Sequence, residues 1–267
     1  MKKAMFQEKA QVVSNTAVAQ NYYRMSLLSP MVAAEARPGQ FIEVQVSQSG
    51  EPLLRRPFGV HAVNQRKQTV DILYEVRGKG TQALSEKKPG DFCDILGPLG
   101  NGFSIQNARC SILVAGGMGV APLAYLAEKL ARDKFSEQKA KNLVLIGCKT
   151  KRHIMCKKEL EKFGYAVKIS TDDGSLGFKG YVTDLLEKVL RVTRYKLPVT
   201  IYACGPKPML KEVSRIAREK NISAQLSLEE HMACGIGACL GCVVKTTNGY
   251  KRVCKDGPVF EAGSLVW

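Results

Sequence analysis

Four cysteines crowd into the C-terminal part of this chain, and they constrain its local fold more than any other feature. Of nine cysteines in all, five are spread singly, whereas Cys234, Cys239, Cys242 and Cys254 lie within one short stretch. Nothing marks the chain as secreted, so a disulfide framework is not expected, and the crowding favours metal or redox chemistry. Glycines between these cysteines allow positive φ angles, so the loop can curl closely around an inorganic centre.

The spacing of the four cysteines indicates one kind of centre. They follow the pattern C-x4-C-x2-C, with the fourth cysteine twelve positions further on, which is the spacing of plant-type 2Fe–2S proteins. We therefore predict that all four bind a 2Fe–2S cluster, with N–H groups of the loop pointing at the sulfurs. A hairpin turn at Asn248–Gly249 would bring Cys254 back to the loop. Structural zinc is the alternative, although zinc sites usually combine two C-x2-C pairs and only one such pair is present.

The remaining composition is that of an ordinary globular protein. The 267 residues are 45% hydrophobic and 24% charged, enough for two compact domains or one large domain with an appendage. The net charge of +16 is spread over small groups of lysine and arginine without interleaved aromatic residues, so we expect no nucleic-acid partner. The most apolar segment, 112–126, is too short and too rich in glycine to span a membrane. No signal peptide is evident, and we expect a cytoplasmic protein without a membrane partner.

Two successive patterns predict an α+β multidomain fold. Segments 40–46 and 69–76 alternate apolar and polar residues between turn signals, which predicts an N-terminal antiparallel β-barrel over 1–105. Further along, short apolar strands alternate with helices, which predicts a central α/β nucleotide-binding domain with a parallel sheet over 106–225. Residues 226–267 follow neither pattern, and we assign them to a small C-terminal 2Fe–2S cluster-binding segment.

Two segments of the first domain can bind a flavin nucleotide. In 55–60 (Arg-Arg-Pro-Phe-Gly-Val), an arginine beside a tight proline turn can clamp a pyrophosphate while the ring covers an aromatic ligand. In 74–81, two glycines and the Thr81 hydroxyl can approach another phosphate or the flavin edge. Taken alone, each segment can equally be interpreted as a plain turn between strands that binds no ligand.

Three segments of the second domain follow strands, where α/β sheets bind their ligands. The glycine turn in 116–122 opens a helix whose N-terminus favours negative charge, although it is not the dinucleotide pattern G-x-G-x-x-G. Asp172 can place a carboxylate on a ribose hydroxyl, or it is a solvated loop residue. Cys204 can line a nicotinamide pocket, or it is a small buried residue.

In this order, the motifs resemble those of the ferredoxin-reductase superfamily, whose members pair an FAD-binding β-barrel with a nicotinamide-binding α/β domain. The motifs are Arg56-Pro57-Phe58, Gly78-x-Gly80-Thr81, Gly116-Gly117-x-Gly119-x-x-Pro122 and Cys204-Gly205-Pro206-x-x-Met209. The segments 232–242 and 254–260 closely resemble the electron-transfer subunit of NAD-dependent (type B) dihydroorotate dehydrogenase. This resemblance covers essentially the whole chain, and the cysteine segment is its most specific part.

The resemblance implies an oxidoreductase subunit of pyrimidine biosynthesis. A separate FMN-containing catalytic subunit would oxidise dihydroorotate, and electrons would pass singly through the 2Fe–2S cluster to FAD, which reduces NAD+ by hydride transfer. The chain would then work in a hetero-oligomer, and it would supply no catalytic side chain of its own. Residues implied to bind FAD are Arg56, Pro57, Phe58, Gly59, Gly78, Gly80 and Thr81. Those implied to serve NAD are Gly117, Gly119, Asp172 and Cys204.

One position departs from the family pattern. Related sequences often carry a hydroxyl residue after the aromatic of the arginine turn, where it can face flavin N5. Here the position is Gly59, so only its backbone N–H can take that role. The departure bears on the flavin potential rather than on FAD binding.

Two other functions remain as alternatives. Subunits of ferredoxin–NADP or sulfide oxidoreductases are related, but they often carry aspartate in place of the first cluster cysteine, here Cys234. A non-enzymatic zinc-binding module would be colourless and would leave the arginine turn unexplained.

For the favoured function, negative charge at Asp172-Asp173 would disfavour an NADP phosphate. We also expect the cluster segment to form the partner interface, with Lys251, Arg252 and Lys255 steering docking.

Overall fold

The computed structural model describes residues 4–47, 50–105, 110–132, 142–192 and 199–267. The chain divides into two compact units. One unit contains 1–102 together with 230–243 and 252–258 of the C-terminal part, and the other contains 103–229 with 244–251 and 259–267. The residues of the C-terminal segment are therefore shared between both units.

The first unit is built on a closed six-stranded barrel, which confirms the predicted antiparallel β-barrel. Its strands are β1 (Phe6–Ala19), β2 (Tyr22–Leu28), β3 (Phe41–Val44), β4 (Arg56–Asn64), β5 (Thr69–Glu75) and β6 (Phe92–Leu99), with helices α1 (Pro30–Glu35) and α2 (Lys79–Ser85) between them. The order is β1-β2-β5-β4-β3-β6, closed by antiparallel pairing of β6 with β1. At Gly97 a Cβ would lie 2.6 Å from Ile42 Cγ2, so the close approach of β3 to β6 requires glycine.

One asparagine of the barrel holds the end of α2. The Asn15 Nδ2 group donates to the carbonyl oxygens of Leu84 and Lys87 at 3.0 Å and of Ser85 at 3.3 Å. Its Oδ1 accepts a hydrogen bond of 3.0 Å from the Tyr74 hydroxyl. The last carbonyl groups of a helix lack partners within the helix. Here Asn15 supplies the donors for Ser85 and Lys87, while the Leu84 carbonyl also accepts from the Lys87 N–H at 3.2 Å. The arrangement fixes α2, and with it the preceding glycine segment 78–81, to the barrel wall.

The second unit is built on a mostly parallel sheet, as predicted. Its strands include β7 (Cys110–Gly116), β8 (Leu143–Cys148), β9 (Ala166–Thr171), β10 (Phe178–Lys179), β11 (Val199–Cys204) and β12 (Ser223–Ser227), and its helices are α3 (Val120–Arg132), α4 (Lys157–Lys162), α5 (Val182–Val192) and α6 (Lys207–Glu219). All seven residues of β7 are buried, which is typical of a central parallel strand. The apolar segment 112–126 is therefore a core strand, a glycine turn and a helix. Among the described residues, no helix has the length and apolar character needed to cross a membrane.

The C-terminal part adds a hairpin and an edge strand. Strands β13 (Val243–Thr246) and β14 (Gly249–Arg252) form the hairpin predicted from Asn248–Gly249, with Gly249 at φ 87°. The last strand, β15 (Val259–Glu261), pairs antiparallel with β12 and completes the order β10-β9-β8-β7-β11-β12-β15. The sequence pattern did not predict this edge strand, because three residues are too few to establish a period.

Replacing Asn15 with alanine should destabilise the barrel. The substitution removes the Asn15 partner of the Ser85 and Lys87 carbonyl groups and of the Tyr74 hydroxyl, so we expect the free energy of unfolding to fall by about 1–3 kcal/mol. Urea unfolding followed by circular dichroism measures this change. Gln82→Ala on the exposed face of the same helix is the matched control, and it should change the free energy by less than about 0.5 kcal/mol. Equal effects of the two substitutions would contradict the anchoring role of Asn15.

Candidate cofactor sites

The cysteine loop folds back on its own sulfurs. Backbone N–H groups of Ala238 and Cys239 donate to Cys234 Sγ at 3.4 and 3.5 Å. Similar bonds run from Gly241 N–H to Cys239 Sγ at 3.5 Å and from Cys254 N–H to Cys242 Sγ at 3.4 Å. These contacts confirm the prediction that N–H groups point at the sulfurs. Such bonds stabilise thiolates and tune the potential of a cluster that they hold.

The loop reaches this shape through left-handed backbone conformations. Gly235 and Gly237 have φ angles of 66° and 83°, which glycine adopts without the steric cost that a Cβ would impose. Leu240 also has a positive φ, of 59°, and its side chain is 61% exposed. A left-handed leucine is unusual, so the surrounding loop must determine its conformation.

The four thiols are arranged as two pairs. Backbone hydrogen bonds link the cysteines two by two, because the Cys239 N–H donates to Cys234 Sγ and the Cys254 N–H donates to Cys242 Sγ. All four lie in the described part of the chain, and no three of their sulfurs come within 4.8 Å of one another. A tetrahedral zinc ion with Zn–S bonds of about 2.3 Å would hold all four sulfurs within about 4 Å. Two pairs instead suit two irons with two thiolates each, so the donor set fits a 2Fe–2S cluster.

The two pairs differ in their electrostatic surroundings. Burial acts to raise the pKa of Cys234, but backbone N–H groups of Cys239, Ile236 and Ala238 together lower it to about 6. Burial raises the pKa of Cys254 to about 12, and the hydrogen bond with Cys242 acts in the same direction. A metal ligand must be deprotonated, so the lowered pKa would favour Cys234 as a ligand, whereas Cys254 would have to lose its proton to bind a metal.

An arginine ties the two arms of this site together. Arg252 pairs with Asp256, with Nε at 3.0 Å from Oδ2, and its Nη1 donates to the Gly237 carbonyl oxygen at 3.2 Å. The Lys255 side chain packs across Gly237, where a Cβ would lie 2.6 Å from Lys255 Cδ. The Arg252 guanidinium therefore has an internal role in shaping the loop, which the sequence analysis did not anticipate. Lys255 stays exposed.

A buried glutamate lies directly beneath the loop. At Gly235 a Cβ would be only 2.6 Å from Glu43 Cγ, so the loop rests on this side chain. Burial raises the Glu43 pKa to about 7, opposed by the charges of Arg55 and Arg56 and reinforced by Cys234. The alternating pattern of β3 places Glu43 on the outer face of the barrel, where solvent is expected. Only the covering C-terminal segment explains its burial, and no local sequence signal could have revealed that.

The arginine turn and the glycine segment lie side by side on the barrel. At Gly80 a Cβ would lie 3.4 Å from Arg56 Nε and 3.0 Å from Val46 Cγ2, so the segment fits closely against the arginine. The Thr81 hydroxyl accepts from the Gly78 N–H at 3.2 Å and donates to the Gly78 carbonyl at 3.1 Å. The structure thus brings together four of the residues implied for FAD.

The other three residues implied for FAD follow along β4. Pro57 and Gly59 pair with Glu43 and Phe41 of β3, and all three residues from Pro57 to Gly59 are partly exposed. The Phe58 ring lies 5.7 Å from that of Tyr74, at a tilt of 59°. This start of β4 is therefore open to a ligand on a rigid strand, with an aromatic wall at its side.

Two strand ends meet at the glycine turn before α3. A Cβ on Gly119 would overlap the Cys204 carbonyl oxygen, so this junction of β7 and β11 requires glycine. Gly117 has a φ of 54°, and a Cβ there would meet nothing within 4 Å. The turn is thus closed towards the sheet and open on its other side. Burial raises the pKa of Cys204 far above its usual range, so its thiol stays neutral.

The neighbouring aspartates have different roles. The Asp173 carboxylate accepts hydrogen bonds from Ser175 N–H at 2.9 Å and Ser175 Oγ at 2.6 Å, which lower the Asp173 pKa. The exposed Asp172 carboxylate has no hydrogen-bond partner among the described residues. Asp172 follows β9, so it lies at the same carboxyl edge of the sheet as Gly117, Gly119 and Cys204. Of the two aspartates, Asp172 is the one available to a ligand.

Three family models cover nearly the whole chain. The model for the oxidoreductase FAD-binding domain matches residues 4–103, and that for the oxidoreductase NAD-binding domain matches 113–215. The model for the iron–sulfur cluster binding domain of dihydroorotate dehydrogenase B matches residues 229–266. These matches agree with the barrel, the sheet and the cysteine loop described above.

Full-length relatives identify the family. The chain is 40% identical over 263 residues to the electron transfer subunit of dihydroorotate dehydrogenase B (NAD(+)) from Desulforamulus reducens, covering 97% of each chain. It is 41% identical over 271 residues to the subunit of that name from Geobacillus sp., covering 98% of this chain and 99% of the relative.

Solved structures give the same architecture. A chain from the NADH-dependent reduced ferredoxin-NADP oxidoreductase superposes with a TM-score of 0.84 at 31% identity, covering 97% of this chain and 90% of that one. The ferredoxin reductase of carbazole 1,9a-dioxygenase, at 20% identity and a TM-score of 0.68, covers 82% and 67% and shares the fold. Sequence identity to the two full-length relatives is higher than to either solved structure. The chain therefore belongs to the family of electron transfer subunits of dihydroorotate dehydrogenase B.

Proposed function

We propose that this chain carries electrons from an FMN-containing, dihydroorotate-oxidising partner subunit to NAD+, as one step of pyrimidine biosynthesis in the cytoplasm. The cysteine loop carries the proposal, because its four sulfurs are linked in two pairs, which suits a 2Fe–2S cluster rather than a single zinc ion. In functional terms, 1–105 binds FAD, 106–225 binds NAD and 226–267 binds the cluster.

When bound, the two groups would divide the chemistry, since the cluster would pass single electrons and FAD would combine two of them with a proton from solvent to supply a hydride to nicotinamide. The chain's own residues bind and orient these groups. Cys234, Cys239, Cys242 and Cys254 hold the iron. Arg56 and Thr81 bind the phosphates of FAD, while Gly78 and Gly80 let the backbone come close. Pro57, Phe58 and Gly59 line the flavin, with the Gly59 N–H as the donor on that strand.

The sheet unit orients the nicotinamide nucleotide. Gly117 and Gly119 form the turn against which its phosphates lie, at the N-terminus of α3. Asp172 accepts hydrogen bonds from a ribose, and its charge repels the additional phosphate of NADP. Cys204 is buried at the end of β11, so its neutral thiol would lie behind the surface that the nicotinamide contacts. Hydride transfer needs no general base, so none of these residues is a catalytic acid or base.

The partner subunit docks on the cluster loop. Cys239 is exposed, and around it the apolar side chains of Ile236, Leu240 and Val243 are 43%, 61% and 36% exposed. Exposed apolar residues beside a redox centre favour a dry contact that shortens the path of the electron. Lys255 supplies positive charge at the rim, whereas Arg252 is committed to Asp256 and the loop.

Cys239→Ser should remove the cluster and leave FAD in place. The ligand set loses one thiolate, while the barrel residues that bind FAD are unchanged. Anaerobic purification with assays of iron, labile sulfide and released flavin measures both groups. Cys148→Ser in the sheet unit is the matched control and should keep iron and sulfide in the 2Fe–2S ratio. A colourless wild-type protein that contains zinc would contradict the proposed function.

Leu240→Asp should weaken assembly with the dihydroorotate-oxidising subunit by about tenfold or more, because a charge would be buried in the apolar contact. Aspartate tolerates the left-handed backbone at this position, so the loop itself should keep its shape. Co-purification and a binding titration with the partner measure the effect. Leu176→Asp, in an exposed loop of the sheet unit, should bind as the wild type does. Unchanged binding by the Leu240 variant would contradict the proposed interface.

Asp172→Asn should reduce the preference for NADH over NADPH by about tenfold, because one repulsive charge near the ribose is lost. The ratio of kcat/KM values for the two nucleotides, with an artificial electron acceptor, measures the preference. Asp173→Asn is the matched control, because it removes the same charge and retains an oxygen that accepts the Ser175 bonds. A larger effect at Asp173 than at Asp172 would contradict the assigned roles.

A further inference from the structure

The end of strand β6 lies against the turn that follows the last cysteine. Gly100 and Asn101 come directly after β6, and Asn101 forms an isolated parallel bridge with Pro258. The turn 255–258 comes directly after Cys254 in the chain. Both segments belong to the first compact unit, so the barrel contacts the cysteine site at this point as well as at Glu43.

Asn101 binds this turn through its side chain and through its backbone. Its Nδ2 group donates to the carbonyl oxygens of Lys255 at 3.1 Å and of Asp256 at 2.8 Å. Its backbone N–H donates to the carbonyl oxygen of Gly257. Successive carbonyl groups of the turn are thus held by a single residue of the barrel unit, which fixes the direction of the chain as it leaves Cys254.

The backbone that carries Asn101 is itself fixed to the barrel. The buried Gln40 donates from Nε2 to the Gly100 carbonyl oxygen at 2.9 Å, and its Oε1 accepts from the Arg37 N–H at 2.8 Å. At Gly100, with a φ of 73°, a Cβ would lie 2.6 Å from both the Gly257 carbonyl oxygen and Pro258 Cδ. The close approach requires glycine, so the turn rests directly on the backbone of the barrel unit.

Cys254 is consequently held from two sides. On the preceding side, the Val253 N–H donates to the Cys242 carbonyl oxygen at 3.0 Å, and the Cys254 N–H donates to Cys242 Sγ at 3.4 Å. On the following side, the bonds from Asn101 attach the turn to the barrel unit. The first set of bonds ties Cys254 to another cysteine, whereas the second ties it to a rigid support.

We propose that Asn101 is a positioning residue for the iron–sulfur cluster, because its grip on the turn 255–257 keeps Cys254 in place as the fourth ligand. This inference rests on the proposed function, because it requires the cluster to form on the four cysteines. Groups that orient metal ligands without touching the metal typically contribute about 10–100-fold to metal affinity. Asn101 acts in this way through the backbone of the turn.

Asn101→Ala tests this role, since it removes the side-chain donor and leaves the backbone bond to Gly257. The readout is the rate at which the anaerobic, FAD-loaded chain releases iron to an excess of a coloured chelator, at a temperature well below unfolding. We expect the rate to rise about tenfold or more. The electron paramagnetic resonance signal of the reduced cluster should also shift, because it reports the geometry of the ligands.

Asn15→Ala is the matched control. It also removes a side-chain amide that holds carbonyl groups in the same barrel unit, but those carbonyls belong to Ser85 and Lys87 rather than to the turn after Cys254. It should therefore release iron at the wild-type rate and leave the resonance signal unchanged. Equal acceleration in Asn15→Ala and Asn101→Ala would overturn the proposal, because barrel stability alone would then set the rate.

The outcomes separate this proposal from the proposed function. A wild-type chain without iron and sulfide would defeat the proposed function itself. A wild-type cluster, together with an unchanged release rate and resonance signal in Asn101→Ala, would overturn only the role of Asn101. If that variant fails to take up iron, Asn101→Gln is measured with the same expected rise. Loss of iron from both variants would overturn the proposal, because Asn101 would then serve folding of the unit rather than the position of one ligand.

Discussion

The hydrogen bonds from backbone N–H groups to cysteine sulfurs are the interaction on which the rest of this site depends. They require the chain to turn back sharply between Cys234 and Cys242, and Gly235 and Gly237 permit those turns. The same bonds lower the pKa of Cys234, which favours its thiolate form in the absence of metal. The N–H···S hydrogen bonds therefore go together with both the sharp turns of the loop and the lowered pKa of Cys234.

The barrel supports the arginine turn and the cysteine loop within one compact unit. Strand β3 illustrates how closely these are linked, because its Glu43 pairs with Pro57 on one strand and supports Gly235 on the other side. The Arg252–Asp256 pair then fixes the second arm of the loop to the first. Electron transfer depends steeply on distance, so this rigidity is a functional requirement as much as a structural one.

The sequence predicted the parts of the site that depend on local chemistry. The cysteine segment indicated a loop whose N–H groups point at its sulfurs, and Asn248–Gly249 indicated the hairpin, because each depends on a few adjacent residues. Burial of Glu43 and the internal role of Arg252 escaped prediction, since both depend on segments far apart in the chain. Strand alternation identifies the face of a side chain but not what covers that face. The residues assigned to FAD and NAD came from resemblance, and their roles stay proposals.

The central claim is that electrons from dihydroorotate reach NAD+ through iron–sulfur and flavin groups held by this chain. The most direct measurement is an anaerobic single-turnover experiment on the assembled complex, with dihydroorotate added first and NAD+ second, followed by visible absorbance. The account predicts that dihydroorotate bleaches the cluster and flavin bands, and that NAD+ restores them as NADH forms. Bands that dihydroorotate leaves unchanged in an intact, fully loaded complex would contradict it.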